Sequence, residues 1–343
     1  MKKLGFLALL LVLLNTISCG GSRKNLYLYN WSYFIPDETL EAFGKEFDVK
    51  VTLDTYDGNE TMYAKLATGN ANFDMVVPSS DYVSIMISQD MLSQIDHAKI
   101  PNLKNIDPIV MNFIQDAGYD PGNQYSIPYF MGSTGINVNT AFVQDRSESW
   151  RIFERSDLKG RMSMMNDMRD VLGGALKVLG YSGNSTNPDE INRARDLVLK
   201  QWKPNLLKFD SETFGKDFAA KNTWVAQGYA EVVLNELEGD QKDYSFYIPK
   251  EGTMITLDSF VILKDAKNKD AAHELINYML RPEVHAYVAD MFYYPVIIPE
   301  AQQYRKIVPP YGISTLLERS ELRKDIGEAV RLYTQAWDEV LQG

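Results

Sequence analysis

The stretch VKVTLDTYDGNETMYAKLATGNANFDMVVPSS, residues 49–80, decides the fold. Its first part, Val49–Tyr56, alternates β-branched and polar residues, a pattern typical of a strand. A helical segment then begins at Asn59, and the apolar run Phe73–Val77 stops at Pro78. The order strand, helix, strand predicts a βαβ unit with parallel strands.

The same alternation extends on both sides of this unit. A strand over Asn25–Asn30 precedes it, and a helix opens at Pro36 with acidic residues in its first turn. Beyond residue 130 we predict strands at 136–138, 232–234 and 254–263, and helices at 171–179, from Pro188 and over 320–341. Two α/β halves divided near residue 135 predict a protein with a cleft between two lobes.

Strand ends indicate where a ligand would bind. In open parallel sheets, ligands lie beyond the carboxyl ends of the strands. Trp31 follows the first strand, and Ser79 and Asp81 follow the third. Trp31 is either a core aromatic or a ligand wall, and as a wall it would attract an alkylammonium chain by roughly 0.5–2 kcal/mol.

Three further carboxylates are candidates for binding a cation. Asp167 and Asp170 stand at the start of the helix predicted from Val171, where they would cap its amino end and could also face the cleft. Asp258 interrupts an otherwise apolar strand. Burial there would cost several kcal/mol without a partner. The alternative is an edge or bend position, with Asp258 in water.

Composition argues against other classes of protein. The chain has 46 acidic and 35 basic residues, a formal net charge of −11, whereas nucleic-acid binders present basic faces. The three histidines, His97, His273 and His285, do not have metal-ligand spacing. The sequence has neither a nucleophile-elbow serine motif nor a phosphate loop. We therefore expect no catalytic residues, no metal site, no cofactor and no nucleic-acid partner.

The amino terminus has the pattern of an export signal. Two lysines precede the apolar run Leu4–Leu14, which is shorter than the ~20 residues that span a bilayer. A small residue, Ser18, precedes Cys19, as in bacterial lipoprotein signals, and this resemblance implies cleavage before Cys19 and its acylation. We expect residues 1–18 to be a signal peptide and 19–24 a lipidated tether that anchors a periplasmic protein to a membrane. An ordinary signal peptide with an incidental cysteine is the alternative.

Longer motifs allow a family to be identified. They are Asn30-Trp31, the run 56–66 (YDGNETMYAKL), 76–79 (VVPS), 125–129 (YSIPY), 135–139 (GINVN), 179–184 (LGYSGN) and 257–259 (LDS). In this order the chain resembles the periplasmic spermidine/putrescine-binding proteins of bacterial ABC transporters. The resemblance implies a two-lobed α/β periplasmic-binding-protein fold, each lobe a mostly parallel sheet flanked by helices. It implies crossings near 134 and 256, with 25–134 plus 257–305 in the first lobe and 135–256 plus 306–343 in the second.

The resemblance also implies roles for single residues. Trp31 and Tyr294 would wall the polyamine, Ser79 would make a polar contact, and the carboxylates would bind ammonium groups. The full predicted contact set is Trp31, Phe34, Ser79, Asp81, Tyr82, Asp167, Asp170, Asp258, Tyr294 and Arg323.

The chain departs from the family pattern at several of these positions. Leu234 and Thr256 stand where the family has tryptophan, Phe34 where it often has tyrosine, Asp81 where an aromatic is usual, and Arg323 where a glutamine touches the ligand.

These features predict the substrate-binding component of an ABC importer that captures spermidine and/or putrescine and docks on permease subunits. Two alternatives stay open at this point. One is a binding protein for a different small cationic solute. The other is a surface lipoprotein that uses the same fold for sensing or adhesion.

Overall fold

The computed structural model describes residues 24–32, 34–69, 71–144 and 147–343. The predicted signal peptide and Cys19 lie outside these residues. Among the described residues, no helix combines the length and apolar character needed to cross a bilayer.

Strands and helices alternate along most of the chain. The strands are β1 (Lys24–Trp31), β2 (Val49–Tyr56), β3 (Met75–Val76), β4 (Ser126–Ser133), β5 (Gly135–Asn139), β6 (Met162–Met164), β7 (Leu206–Phe209), β8 (Val225–Gly228), β9 (Tyr244–Tyr247), β10 (Met254–Ile262) and β11 (Glu321–Leu322). The helices are α1 (Asp37–Phe47), α2 (Asn59–Ala67), α3 (Ser80–Ser88), α4 (Pro108–Ala117), α5 (Met168–Val178), α6 (Pro188–Leu197), α7 (Phe214–Ala219), α8 (Ala230–Glu236), α9 (Lys269–Met279), α10 (Pro282–Met291), α11 (Ile313–Arg319) and α12 (Val330–Gln342).

The first sheet has the order β11-β10-β3-β1-β2, with β4 also paired to β10. The predicted βαβ unit forms as expected, since β1 pairs in parallel with both β2 and β3. Its core includes Leu28, Val76 and Val261, all fully buried. Because β4 leads out of this lobe and β10 leads back, these two strands run antiparallel.

The second sheet has the order β7-β6-β8-β5-β9. β6 is parallel to β7 and β8, while β5 is antiparallel to β8 and β9. A separate core around Trp150, Trp202 and Phe153 packs behind it. Two sheets with two cores confirm the predicted two-lobed α/β class, although both sheets are mixed rather than mostly parallel.

Two of the places where the chain passes between the lobes lie next to each other. Thr134 alone separates β4 from β5, and Thr253 precedes β10. The Thr253 hydroxyl donates to the Thr134 carbonyl oxygen at 3.0 Å, so the two crossing segments are joined. Gly135 begins β5 where a Cβ would lie 2.4 Å from the Phe246 ring, so the crossing needs glycine. The exact lobe boundaries stay predictions.

Two predicted elements were wrong. Residues 232–234 form part of helix α8, not a strand, because the preceding strand β8 already ends at Gly228. The segment from Ser320 begins with strand β11, whose Leu322 packs in the first core, and the helix starts only at Val330. Residues 321–322 therefore belong to the first sheet, although the predicted range 306–343 put them in the second lobe.

Candidate ligand-binding cleft

Asp258 lies at the boundary of the two lobes, on β10. A register irregularity separates it from Ser259, and its backbone forms an isolated bridge with Ser79. Asp258 is 9% exposed, and its carboxylate accepts a hydrogen bond of 2.7 Å from the Ser79 hydroxyl. Burial raises the pKa of Asp258 to about 7, although the Ser79 hydrogen bond lowers it. No ion pair to Asp258 forms among residues 24–32, 34–69, 71–144 and 147–343, so this carboxylate is buried without a cation.

Glu231 is a second carboxylate of this kind. It is the second residue of α8, directly after the end of β8, and it is 9% exposed. Burial raises the pKa of Glu231 to about 8. In the described part of the chain, Glu231 has no ion-pair partner either. We call Glu231 and Asp258 the acid pair.

Tyr294 lies near both carboxylates of the acid pair. Burial raises the pKa of Tyr294 well above its usual value, and the charges of Glu231 and then Asp258 raise it further. Glu231 also raises the pKa of Tyr311 and of Tyr244, in both cases after burial. Both carboxylates therefore lie near one tyrosine, in a setting of phenol rings.

Three other carboxylates form a second group. Asp167 caps α5, accepting from the Arg169 and Asp170 backbone N–H groups at 2.8 and 3.0 Å. Asp170 is buried, and burial and then Asp167 raise its pKa to about 7, while Arg323 and Arg169 lower it. Burial also raises the pKa of Asp81, at the start of α3, again against the effect of these arginines.

Arg323 lies among these acids. Its Nε is 3.6 Å from Asp81 Oδ2, and its Nη1 is 3.9 Å from Asp167 Oδ2. Burial lowers the pKa of Arg323, but the three carboxylates outweigh burial and raise it above its usual value. We call Asp81, Asp167, Asp170, Arg169 and Arg323 the arginine cluster.

Aromatic rings line the space beside the acid pair. Trp31 is half-buried at the end of β1, its indole donates to the Val77 carbonyl at 2.9 Å, and its ring lies 4.8 Å from Tyr56. Tyr294 lies 5.5 Å from Phe34, which packs behind it. Trp31 thus packs with Tyr56, and Phe34 packs with Tyr294.

Three predicted positions need comment. Tyr82 lies against Tyr63 at 6.0 Å and interacts with Glu60, beside the arginine cluster rather than beside the acid pair. Thr256 contributes a hydrogen bond to Tyr229, a half-buried tyrosine whose pKa burial raises. Leu234 does not stand at a strand end, as the predicted strand required; it is buried in helix α8 and packs with the first core.

Comparisons with known proteins agree with this architecture. The family model of bacterial extracellular solute-binding proteins matches residues 38–309. The chain belongs to this family. It is 36% identical to the spermidine/putrescine-binding periplasmic protein of Escherichia coli over 334 residues, which cover 94% of this chain and 92% of that protein. The resemblance predicted from the sequence motifs is confirmed.

Two further relatives extend the comparison. The putrescine-binding periplasmic protein PotF of Escherichia coli is 32% identical over 361 residues, covering 98% of this chain and 96% of PotF. The crystal structure of the Tp0655 (TpPotD) lipoprotein of Treponema pallidum superposes with a TM-score of 0.88 at 43% identity, covering 92% of this chain and 99% of that one. This solute-binding protein therefore shares its whole two-lobed fold with a solved lipoprotein.

Sequence reasoning missed one residue of the cleft, Glu231. The incorrectly predicted strand at 232–234 placed Glu231 in a loop before that strand. Nothing in that placement indicated that its side chain faces the cleft. Gly228-Tyr229 was the available signal, because strand β8 ends at this glycine and the helix that carries Glu231 begins at Ala230. The contacts described above connect nine of the predicted residues with Glu231, and Tyr82 lies to one side. Their roles in ligand binding stay predictions.

Proposed function

We propose that this chain captures a polyamine, spermidine and/or putrescine, as the substrate-binding component of an ABC importer. The observation that carries the proposal is the acid pair, two buried carboxylates that flank Tyr294 without a cationic partner among the described residues. Unpaired buried carboxylates are unfavourable, and two ammonium groups on one ligand would supply both missing charges.

The aromatic rings of the cleft suit the methylene chain of such a ligand. A linear diamine carries methylenes between its charges, and Trp31 and Tyr294 offer apolar faces beside Asp258. An ammonium near an aromatic face gains roughly 0.5–2 kcal/mol. The raised pKa values of the free acids also fit, because a bound ammonium favours the ionised form of a neighbouring carboxylate.

The mechanism follows from the position of the acid pair at the lobe boundary. Asp258 lies on a strand of the first sheet, and Glu231 lies on the helix that follows β8 of the second sheet. A diamine that bridges them makes both contacts only when the lobes are together. Its binding would therefore shift the population toward the closed form, which would dock on permease subunits.

Location and anchoring belong to the same proposal. The two Escherichia coli relatives are periplasmic proteins, and the Treponema pallidum protein is a lipoprotein. We propose that Cys19 carries lipid here and that the protein works at a membrane surface in the periplasm, without catalysing a reaction. Palmitate labelling of wild-type protein, absent from Cys19→Ala, would support the anchor; equal labelling would overturn it.

Calorimetric titration tests the ligand. The full chain is purified in detergent, unfolded and refolded to remove carried amine, and titrated with spermidine, putrescine, spermine, cadaverine and ornithine. One-to-one binding of putrescine or spermidine would support the proposal. Binding of ornithine alone would favour a different cationic solute. No heat with any of these amines would overturn polyamine capture and leave the fold unaffected.

A further inference from the structure

The acid pair and the arginine cluster offer a ligand different charges. The acid pair contains two carboxylates and, among the described residues, no cation paired to either. The arginine cluster contains three carboxylates and two guanidinium groups. A polyamine therefore meets two carboxyl groups without counterions at one place and a largely compensated group at the other.

Arg323 is held at the arginine cluster by its own backbone. Its N–H donates to the Ile255 carbonyl at 2.8 Å, and its carbonyl accepts from the Ser80 hydroxyl at 2.9 Å. The side chain starts from the end of β11 and reaches toward Asp81 and Asp167. The two backbone hydrogen bonds therefore hold the Arg323 backbone beside the arginine cluster.

The two arginines of the cluster differ in how they are used. Arg169 donates to Asn184 Oδ1 at 3.1 Å and lies over the Tyr333 ring at 5.2 Å, so it belongs to the second lobe. Arg323 instead contacts carboxylates at 3.6 and 3.9 Å, longer than the 2.7–2.9 Å of a charge-assisted hydrogen bond. The buried Nε of each arginine has no hydrogen-bond partner in the described residues, so the difference lies in their other contacts. Arg323 thus lies between the acids as a counterion rather than locked to one of them.

We propose that Arg323 determines ligand specificity by occupying the place that a third ammonium group would take. This inference rests on the proposed polyamine function. The acid pair binds the two ammonium groups of a short diamine, both near Tyr294. A longer triamine must put its remaining ammonium beside Asp81, Asp167 and Asp170, where Arg323 already neutralises the acids and repels a second cation. The cleft therefore selects diamines of the putrescine kind over triamines of the spermidine kind.

Titration of the wild-type chain, Arg323→Gln and Arg323→Lys with putrescine and spermidine tests this inference. We expect wild-type protein to bind putrescine more tightly. Arg323→Gln should raise the spermidine-to-putrescine affinity ratio by about tenfold or more. Arg323→Lys keeps the positive charge and should leave the ratio within about threefold of wild type.

The adjacent residue provides a matched control. Lys324 is exposed, so Lys324→Gln removes the same charge one residue away without entering the cleft, and its ratio should equal that of wild type. Thermal unfolding followed by circular dichroism checks each variant, and Arg323→Met serves if Arg323→Gln fails to fold.

Three results would overturn the inference. Equal changes in both affinities for Arg323→Gln would make Arg323 only a link between the lobes. A lysine variant that behaves like the glutamine variant would exclude charge as the cause. Wild-type preference for spermidine would contradict it directly. If wild-type protein binds neither amine, the proposed function fails together with the inference. In the three results above, by contrast, an amine still binds and only the role of Arg323 is rejected.

Discussion

The acid pair and the arginine cluster are both made of buried carboxylates, yet their settings differ. Burial raises the pKa of Asp258 and of Glu231, and the charge of Asp81 raises that of Asp258 further; within the described part of the chain no ion-paired cation opposes these effects. In the arginine cluster, Arg323 and Arg169 oppose the effect of burial on Asp81 and Asp170. A carboxylate that already has its counterion gains little from a ligand cation. The proposed ammonium sites are therefore the carboxylates that lack a counterion, not every buried carboxylate of the cleft.

The largest expected effect is at Asp258. Asp258→Asn keeps the side-chain volume and should weaken putrescine binding about hundredfold, because removing one partner of a buried charge pair costs about 2–5 kcal/mol. Calorimetric titration measures the loss. Asp265→Asn removes the same charge at an exposed position and should bind as wild type does. Unchanged affinity in Asp258→Asn would remove this residue from the site.

Glu231 should show the next largest effect. Glu231→Gln should weaken putrescine at least about tenfold, since the second ammonium loses its partner. Glu236→Gln on the same helix is the control, because Glu236 is exposed. If the two variants bind equally well, the acid pair is not a unit and Asp258 binds alone.

Binding by the acid pair should depend on pH. The free pKa values of Asp258 and Glu231 are about 7 and about 8, so both acids take up protons as pH falls and lose the charge that holds an ammonium. Amines with pKa near 10 stay protonated over this range. Affinity for putrescine should therefore rise with pH between 5.5 and 8.5, by about tenfold or more, and level off above it.

Calorimetry provides an independent measure of the same titration. At pH 7, binding should release protons, so the observed heat should vary with the ionisation enthalpy of the buffer. Identical heats in phosphate and Tris buffers, together with a flat affinity profile, would contradict the pH dependence.

The smallest effect is expected in the arginine cluster. Asp167→Asn keeps a good helix cap and removes a charge that Arg323 already compensates, so putrescine affinity should change less than about threefold. Asp167→Ala also removes the cap and should cost about 1 kcal/mol of unfolding free energy. Titration and thermal unfolding separate these effects. A loss in Asp167→Asn as large as that in Asp258→Asn would erase the distinction between the two groups.

The local chain pattern determined much of this protein. The alternation in Val49–Tyr56 and the helix start at Asn59 are properties of neighbouring residues, and both elements form as predicted. Asp258 was recognisable because a single carboxylate interrupts an apolar strand. Trp31 and Ser79 were recognisable because strand ends in a βαβ unit meet at one edge.

Only the tertiary structure decided which charges face one another. Glu231 lies 27 residues before Asp258 and Arg323 lies 156 residues after Asp167, and no periodic pattern connects such positions. The direction of β10 likewise depends on the chain returning from the second lobe, which a local pattern does not encode. Hydrophobic periodicity reports which face of an element is buried. The counterion of a buried carboxylate depends instead on how the two lobes meet, because that packing alone brings distant side chains within reach.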